Sequence, residues 1–136
     1  MTKYVRVLNA TRQRSVLGDR IEMAESRWAR ARGLLGRPAI APGQGLMFTG
    51  TRAIHTCGMR YPLDVIFFDG QGQVVRAYPS LRPTRFTSWH RRAAYALELP
   101  AGTIAATATQ VGDTLVWLPV EADPAGELGA TAHREG

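Results

Sequence analysis

Apolar and polar residues alternate with a period of two in several short stretches, which is the pattern of strands that bury one face. KYVRVLNA at residues 3–10 has this pattern, and so does YALELP at residues 95–100, where a proline ends it. The apolar run LDVIFF at residues 63–68 is followed by Asp-Gly and a second apolar stretch. Asp-Gly between two such runs predicts an antiparallel hairpin of residues 63–68 with residues 73–78.

Three further stretches complete the predicted set of strands. SVLGDRIEM at residues 15–23 has an apolar piece on each side of Gly18-Asp19, which predicts a hairpin with its turn at that dipeptide. LMF at residues 46–48 follows a glycine-rich turn, and TLVWLPV at residues 114–120 follows Gly-Asp. Both are predicted to be strands.

Helical spacing occurs in two places. Ala24, Trp28, Ala31 and Leu35 share one face of a helix predicted over residues 24–35, and Trp28 is expected to pack that helix against the sheet. A shorter helix is predicted from Ile104 to about Gln110, capped by Thr103. The tail at residues 121–136 lacks valine, isoleucine and aromatic residues, so it is predicted to be disordered.

These elements predict a β-rich α+β fold with one main amphipathic helix and a short second helix. The sheet is expected to be curved and antiparallel, or to form a partly closed small β-barrel. Residues 1–120 are expected to form a single globular domain, because 136 residues suffice for one core.

Composition indicates an ordinary globular chain, with 45% hydrophobic and 21% charged residues. No apolar run approaches the roughly 18 residues of a transmembrane span, and residues 1–15 contain no apolar leader, so a cytoplasmic location is expected. The one cysteine, Cys57, leaves no partner for an internal disulfide. No cofactor-binding loop is evident, and no cofactor is predicted.

Charge is unevenly distributed. Residues 1–60 contain 11 Lys and Arg against 3 Asp and Glu, whereas residues 61–136 contain 6 against 8. Nucleic-acid binding through the basic N-terminal half is therefore one hypothesis. The absence of an RRM, KH, zinc-finger or basic-zipper signature argues against it. Residues 79–93 carry four arginines and two aromatic residues without a clear period, and are predicted to form a surface loop of the length that often has a function.

The stretch IHTCGM places His55, Cys57 and Met59 at alternate positions, on one face if the segment is extended. Such a set suits copper(I) or another soft metal, although no second histidine is nearby in sequence. Cys57 as a nucleophile with His55 as its base is a second interpretation. In the third, His55 donates a hydrogen bond to a backbone carbonyl or to Asp64, while Cys57 and Met59 fill the core. This packing interpretation is favoured, so no metal is predicted.

Two carboxylates interrupt apolar strands: Asp64 lies in LDVIFF and Glu98 in YALELP. A buried carboxylate is costly unless it is hydrogen-bonded or paired. If the two strands are neighbours, Asp64, Glu98 and His55 converge on a polar pocket beside Met59. The alternative is two unrelated buried carboxylates that each cap a turn.

The order of motifs resembles the bacterial and archaeal family called domain of unknown function 192 over about residues 15–118. The motifs that carry the resemblance are RGLLGR at 32–37, GLMF at 45–48, HTCGMRYPLD at 55–64, Pro83, LELPAG at 97–102 and Gly112-Asp113. The resemblance implies a compact β-rich domain with a helix near its start and no established activity. The family's pattern falls on His55, Met59, Pro62, Asp64, Pro83, Glu98 and Gly102.

Position 57 is phenylalanine in many relatives, so the resemblance argues against a shared function that needs sulfur there. Two classes of function remain. The first is an accessory domain that binds a small molecule or a partner protein in a pocket of His55, Met59, Asp64 and Glu98, supported by Arg60, Pro62, Pro83 and Gly102. The second is a hydrolase-like or other acid/base enzyme that uses the same pocket.

Overall fold

A computed structural model describes residues 3–24, 40–57 and 59–120. The helix predicted over residues 24–35 lies outside these ranges except for Ala24, and so do Gly58 and the tail after residue 120. The described residues form a β-rich fold, and their strands belong to one seven-stranded sheet. The strands in chain order are β1 (Tyr4–Asn9), β2 (Ser15–Ala24), β3 (Gln44–Thr49), β4 (Leu63–Phe68), β5 (Val74–Leu81), β6 (Tyr95–Pro100) and β7 (Leu115–Val120).

The strand order across the sheet is β5-β4-β6-β3-β2-β1-β7. All neighbouring pairs are antiparallel except β2 and β3, which are parallel, so the sheet is mixed and the prediction of an antiparallel sheet is wrong at this pair. The sheet is not closed into a barrel. Its two edge strands approach each other where they begin, through contacts that include a bridge between Gln73 and Thr114 and a hydrogen bond from the Leu115 N–H to the Gly72 carbonyl.

The predicted hairpin of β4 with β5 is confirmed, with Ile66 opposite Ala77 in antiparallel register. The predicted hairpin at residues 15–23 is wrong, because Ser15–Ala24 is one continuous strand. Gly18 does not turn the chain there. A Cβ atom on Gly18 would lie 2.4 Å from the Ile21 Cδ1 atom and 3.0 Å from the Gly43 carbonyl oxygen, so this glycine permits close packing within the sheet.

Within the described residues the only helix is α1, Thr103–Thr107. It is shorter than predicted, and its N-cap is Gly102 (φ 99°) rather than Thr103. The Thr103 hydroxyl instead donates to the Pro100 carbonyl at 2.7 Å. None of the helices in the described ranges is long and apolar enough to cross a membrane.

Apolar side chains pack on both faces of the sheet. One cluster, here called the inner core, receives side chains from all seven strands and from Ile104 of α1, which indicates that the sheet curves around it. The second cluster, the outer core, is built on β3, β4 and β6 together with Ile40, Ile54 and Ala93. Strand β4 is buried on both faces, as its unbroken apolar run predicts.

A buried polar cluster joins the turn after β1 to the turn before β7. The Asn9 Nδ2 group donates to the Thr109 hydroxyl and to Asp113 Oδ2, both at 3.0 Å. Asp113 Oδ2 also accepts hydrogen bonds from Arg12 Nε at 2.9 Å and from the Gln110 N–H at 3.0 Å. The Asp113 carboxylate therefore holds together two turns that are about a hundred residues apart.

Burial acts to raise the pKa of Asp113, but the hydrogen bonds from Arg12, Asn9 and Gln110 and the charge of Arg12 outweigh it, so the pKa lies below its ordinary value of 3.8. Well above pH 3.8 the carboxylate is ionised in the folded and the unfolded chain, and its stabilising effect is complete. As the pH falls below that value the unfolded chain binds the proton first, so this stabilisation is lost.

We expect Asp113→Asn to lower the free energy of unfolding near neutral pH by about 1.5 to 3 kcal/mol, the usual contribution of hydrogen bonds to a charged group. The loss of stability on acidification should also become shallower, because one carboxylate with a lowered pKa is gone. Urea unfolding at a series of acidic pH values measures both effects. The exposed Asp19→Asn is the matched control, and an acid limb in Asp113→Asn that parallels the wild type would contradict the assignment.

Candidate functional site

Asp64 is fully buried, and its carboxylate is satisfied by backbone groups. Oδ1 accepts hydrogen bonds from the Ser80 N–H at 2.8 Å and the Gly102 N–H at 3.3 Å, and Oδ2 accepts one from the Ile104 N–H at 2.6 Å. Ser80 lies at an irregularity in the pairing of β4 with β5, and Gly102 precedes α1; both have positive φ angles. Asp64 therefore holds two turns in place, as the turn-capping interpretation predicts.

Glu98 is also buried, at 1% exposure, but it lies on the other face of the sheet. Strands β4 and β6 pair with Asp64 opposite Leu99 and Val65 opposite Glu98. Because paired residues share a face and successive residues alternate, Asp64 faces the inner core with Leu99, whereas Glu98 faces the outer core. The structure does not bring Asp64 and Glu98 together in one pocket.

The segment that contains His55, Cys57 and Met59 is not an extended strand. His55 forms an isolated bridge with Phe86, Cys57 lies in a turn and is exposed, and Met59 packs against the outer core. His55, Cys57 and Met59 therefore do not line one face of a strand, as the copper(I) hypothesis requires. The expectation that Cys57 fills the core is wrong, because Cys57 is exposed. In the described part of the chain, no three His, Cys, Asp or Glu side chains are grouped to hold a metal ion.

The four residues predicted to support the pocket lie in three different segments of the chain. Arg60 and Pro62 are exposed in the loop before β4, and Pro83 is half-buried in the loop after β5. Gly102 contacts Asp64 through its N–H. Of the residues carried by the family pattern, the structure thus joins Asp64 and Gly102 directly by a hydrogen bond.

Two long loops lie against each other, and we call residues 50–62 and 82–94 the paired loops. Backbone hydrogen bonds run between them from Thr56 to Arg85 at 2.9 Å and from Thr87 to Ile54 at 2.9 Å. The buried Thr56 hydroxyl accepts from the Arg85 N–H at 2.8 Å and donates to the Arg82 carbonyl at 2.6 Å. The sequence does not predict this pairing, since the two loops are separated by the β4–β5 hairpin.

The paired loops carry positive charge and exposed aromatic rings. They contain no Asp or Glu, and six of their residues are exposed arginines: Arg52, Arg60, Arg82, Arg85, Arg91 and Arg92. Phe86 is 75% exposed and Trp89 is 67% exposed. The sequence identified residues 79–93 as a candidate functional loop but did not indicate that a second arginine-bearing loop packs beside it.

A cavity of about 260 Å³ opens at the end of the second paired loop, lined by Val75, Trp89, His90, Arg91 and Arg92. The His90 Nε2 atom and the Tyr78 hydroxyl share a hydrogen bond of 2.7 Å. The His90 ring also packs against Phe67, with ring centroids 4.7 Å apart. The imidazole is thereby held in a fixed position at the cavity wall.

Burial lowers the pKa of His90 below its ordinary value of 6.5, and the positive charge of Arg76 lowers it further. The Arg76 guanidinium carbon lies 4.5 Å from the centroid of the Tyr78 ring. His90 is therefore neutral near pH 7, and the positive charge at the cavity comes from arginines. Sequence reasoning missed both the cavity and the Tyr78–His90 pair, whose members come from β5 and a loop.

Comparisons with known proteins agree on the family. The family model DUF192, described as an uncharacterized ACR, matches residues 7–117. The UPF0127 protein of Pyrococcus furiosus is 40% identical over 65 residues, which are 48% of this chain and 55% of that protein. The chain thus spans about half the length of the curated relative it matches.

Two solved structures have the same fold. A protein of Sinorhizobium meliloti described as "a putative transcription regulator" is 26% identical, with a TM-score of 0.70 over 86% of this chain and 94% of that one. A protein of unknown function from Novosphingobium aromaticivorans is 21% identical, with a TM-score of 0.69 over 84% of each chain. The family match over residues 7–117 confirms the resemblance seen in the sequence, and the chain belongs to the DUF192 family.

Proposed function

We propose that this domain is a binding module for single-stranded nucleic acid and that the paired loops are its contact surface. The observation that carries the proposal is the combination of six exposed arginines, no carboxylate and two largely exposed aromatic rings on two loops that pack together. Modules that bind single strands combine a positively charged surface along the backbone with aromatic platforms for the bases.

The charge of the paired loops is available to a ligand. All six loop arginines are exposed, and the ion pair of Arg12 with Asp113 lies far from these loops in sequence. Arginine donates planar, paired hydrogen bonds to phosphate, and its plane stacks on bases and aromatic rings. Neutralising phosphates releases counterions, which makes such binding favourable and dependent on salt.

The hydrogen bonds between the paired loops favour binding for a second reason. Thr56 links the backbone of the first loop to that of the second at Arg82 and Arg85. Loops already held in one conformation lose less conformational entropy when a ligand binds. Phe86, whose ring lies beside that of His55 at 6.0 Å between centroids, is exposed on this braced segment.

Two other observations bear on the choice of function. The Sinorhizobium meliloti protein of the same fold is described as "a putative transcription regulator", and a nucleic-acid partner for this chain agrees with that description. The small-ligand pocket and the acid/base enzyme predicted from the sequence both require His55, Asp64 and Glu98 in one place. Asp64 and Glu98 face opposite sides of the sheet, so neither hypothesis keeps the full set of residues that it names.

The test is fluorescence anisotropy with labelled single-stranded DNA and RNA of about 12 nucleotides, titrated at salt concentrations from about 50 to 200 mM. We expect Arg82→Gln/Arg85→Gln to weaken binding by about tenfold and to make the dependence of log K on log salt shallower by about 1.4, since each lost phosphate contact removes about 0.7. Phe86→Ala should weaken binding with an unchanged salt slope, because stacking releases no counterions.

Lys3→Gln/Arg14→Gln removes the same charge from exposed positions outside the paired loops and is the matched control. It should bind within about twofold of the wild type, because neither residue belongs to the loops that form the contact surface. The proposal is overturned if no binding occurs at the lowest salt concentration or if the control double variant weakens binding equally. Equal affinity for polyglutamate would also overturn it, since that polymer has charge but no bases.

A further inference from the structure

We infer that the cavity beside Trp89 receives a nucleotide that ends in a phosphate monoester, either at the end of a strand or as a free nucleotide. This inference rests on the proposed binding of single-stranded nucleic acid, and it adds the terminal phosphate as a group that the surface recognises. The cavity lies in the second paired loop and is lined by Val75, Trp89, His90, Arg91 and Arg92.

The size of the cavity favours a single terminal group. Its volume of about 260 Å³ is below the range of about 300 to 1,000 Å³ that is typical of sites for drug-sized ligands. It is open at the protein surface, on a loop that the proposed function already places along the strand. A nucleotide at the end of a chain meets both conditions when its phosphate and one edge of its base enter the cavity and the rest stays on the open surface.

The charge near the cavity favours a monoester over an internal diester. Arg91 and Arg92 line the cavity, and Arg76 is close enough to His90 to lower its pKa. Neither Arg91 nor Arg92 has a carboxylate partner among the described residues. A phosphate monoester carries about −1.5 to −2 charges near pH 7, and an internal phosphodiester carries one, so adjacent guanidinium groups favour the monoester.

The remaining walls suit a base. Trp89 offers an exposed indole on which a base can stack, and Val75 provides an apolar surface. The Nε2 atom of the neutral His90 ring forms a hydrogen bond with the Tyr78 hydroxyl. Its other ring nitrogen is then fixed in direction by the same hydrogen bond, which makes His90 a sensitive reporter of ligand in the cavity.

The experiment compares oligonucleotides of one sequence with a 5′-phosphate or a 5′-hydroxyl, together with adenosine 5′-monophosphate and adenosine, all on the full chain. We expect the 5′-phosphorylated strand to bind about tenfold more tightly than the 5′-hydroxyl strand at about 0.1 M salt. Arg91→Gln/Arg92→Gln should reduce that preference to within about twofold while the 5′-hydroxyl strand still binds, since the other loop arginines remain.

Lys3→Gln/Arg14→Gln should keep the full preference. The ring signals of His90 in NMR spectra should shift with the phosphorylated strand or with adenosine 5′-monophosphate and remain unchanged with adenosine. A response to the strand alone identifies a strand end, and a response to the mononucleotide alone identifies a free nucleotide; either supports the inference.

The inference and the proposed function fail in different ways. If both strands bind equally and the mononucleotide leaves His90 unchanged, the inference is overturned while the proposed function stands. A preference that survives in Arg91→Gln/Arg92→Gln also overturns the inference, because the monoester is then recognised elsewhere. If neither strand binds but the mononucleotide shifts the His90 signals, the proposed function fails and the cavity remains a nucleotide site.

Discussion

Replacing Asp64 with alanine is expected to lower the free energy of unfolding by about 3 to 5 kcal/mol. The change leaves three backbone N–H groups, those of Ser80, Gly102 and Ile104, without the carboxylate that accepts from them. An unsatisfied buried donor costs about 1 to 3 kcal/mol, and partial relaxation of the two turns reduces the sum. Equilibrium urea unfolding monitored by circular dichroism gives the free energy directly.

Asp69→Ala is the matched control for this prediction. The Asp69 carboxylate also accepts from two backbone N–H groups, those of Gln71 and Gln73, both at 2.9 Å, but in an exposed turn. Water replaces the carboxylate there, so we expect a loss of about 1 kcal/mol or less. If Asp64→Ala does not fold, Asp64→Asn provides a milder change with the same direction. A loss in Asp64→Ala no larger than that in Asp69→Ala would contradict the structural role of Asp64.

Gly72→Ala is expected to lower the free energy of unfolding by about 2 to 4 kcal/mol, for two separate reasons. Gly72 has φ +88°, a backbone conformation that favours glycine. A Cβ atom at this position would also lie 2.3 Å from the Leu115 carbonyl oxygen. That oxygen belongs to the first residue of β7, so the clash falls where the two edge strands of the sheet come together.

Two other glycines serve as controls that separate the strain of a positive φ angle from the clash with the Leu115 carbonyl oxygen. Gly112 has φ +95° but open space where a Cβ atom would lie, so Gly112→Ala should cost only the conformational strain, about 1 kcal/mol. Gly70 has open space and no positive φ angle, so Gly70→Ala should be close to neutral. Thermal and urea unfolding of the three variants tests the ranking. Equal losses in Gly72→Ala and Gly112→Ala would show that the contact with Leu115 is unimportant.

Several strands could be predicted because burial imposes a period on their residues. β1, β4 and β6 lie where the alternating or unbroken apolar patterns place them, and Asp-Gly correctly marks the turn between β4 and β5. The glycine at position 18 misled the prediction, because its effect depends on the Gly43 carbonyl, which approaches from a distant part of the chain. The parallel pairing of β2 with β3 is likewise a long-range contact that no local pattern specifies.

The candidate site also depends on long-range contacts that the sequence pattern does not specify. That Asp64 and Glu98 are buried follows from their apolar surroundings, and the structure confirms it. The sequence left open whether their strands are neighbours, which they are. Whether they meet depends on the register of β4 and β6. Asp64 is opposite Leu99, so the carboxylates face different cores; a register shifted by one residue would have put them on the same face.

The family, the β-rich class of the fold, most of the strands and the burial of two carboxylates could be predicted, because these properties depend on residue type and on local periodicity. The faces that those carboxylates occupy, the backbone groups that satisfy Asp64 and the pairing of the loops at residues 50–62 and 82–94 are visible only in three dimensions. Register and loop pairing are set by contacts between residues far apart in the chain, and a local pattern does not encode those contacts.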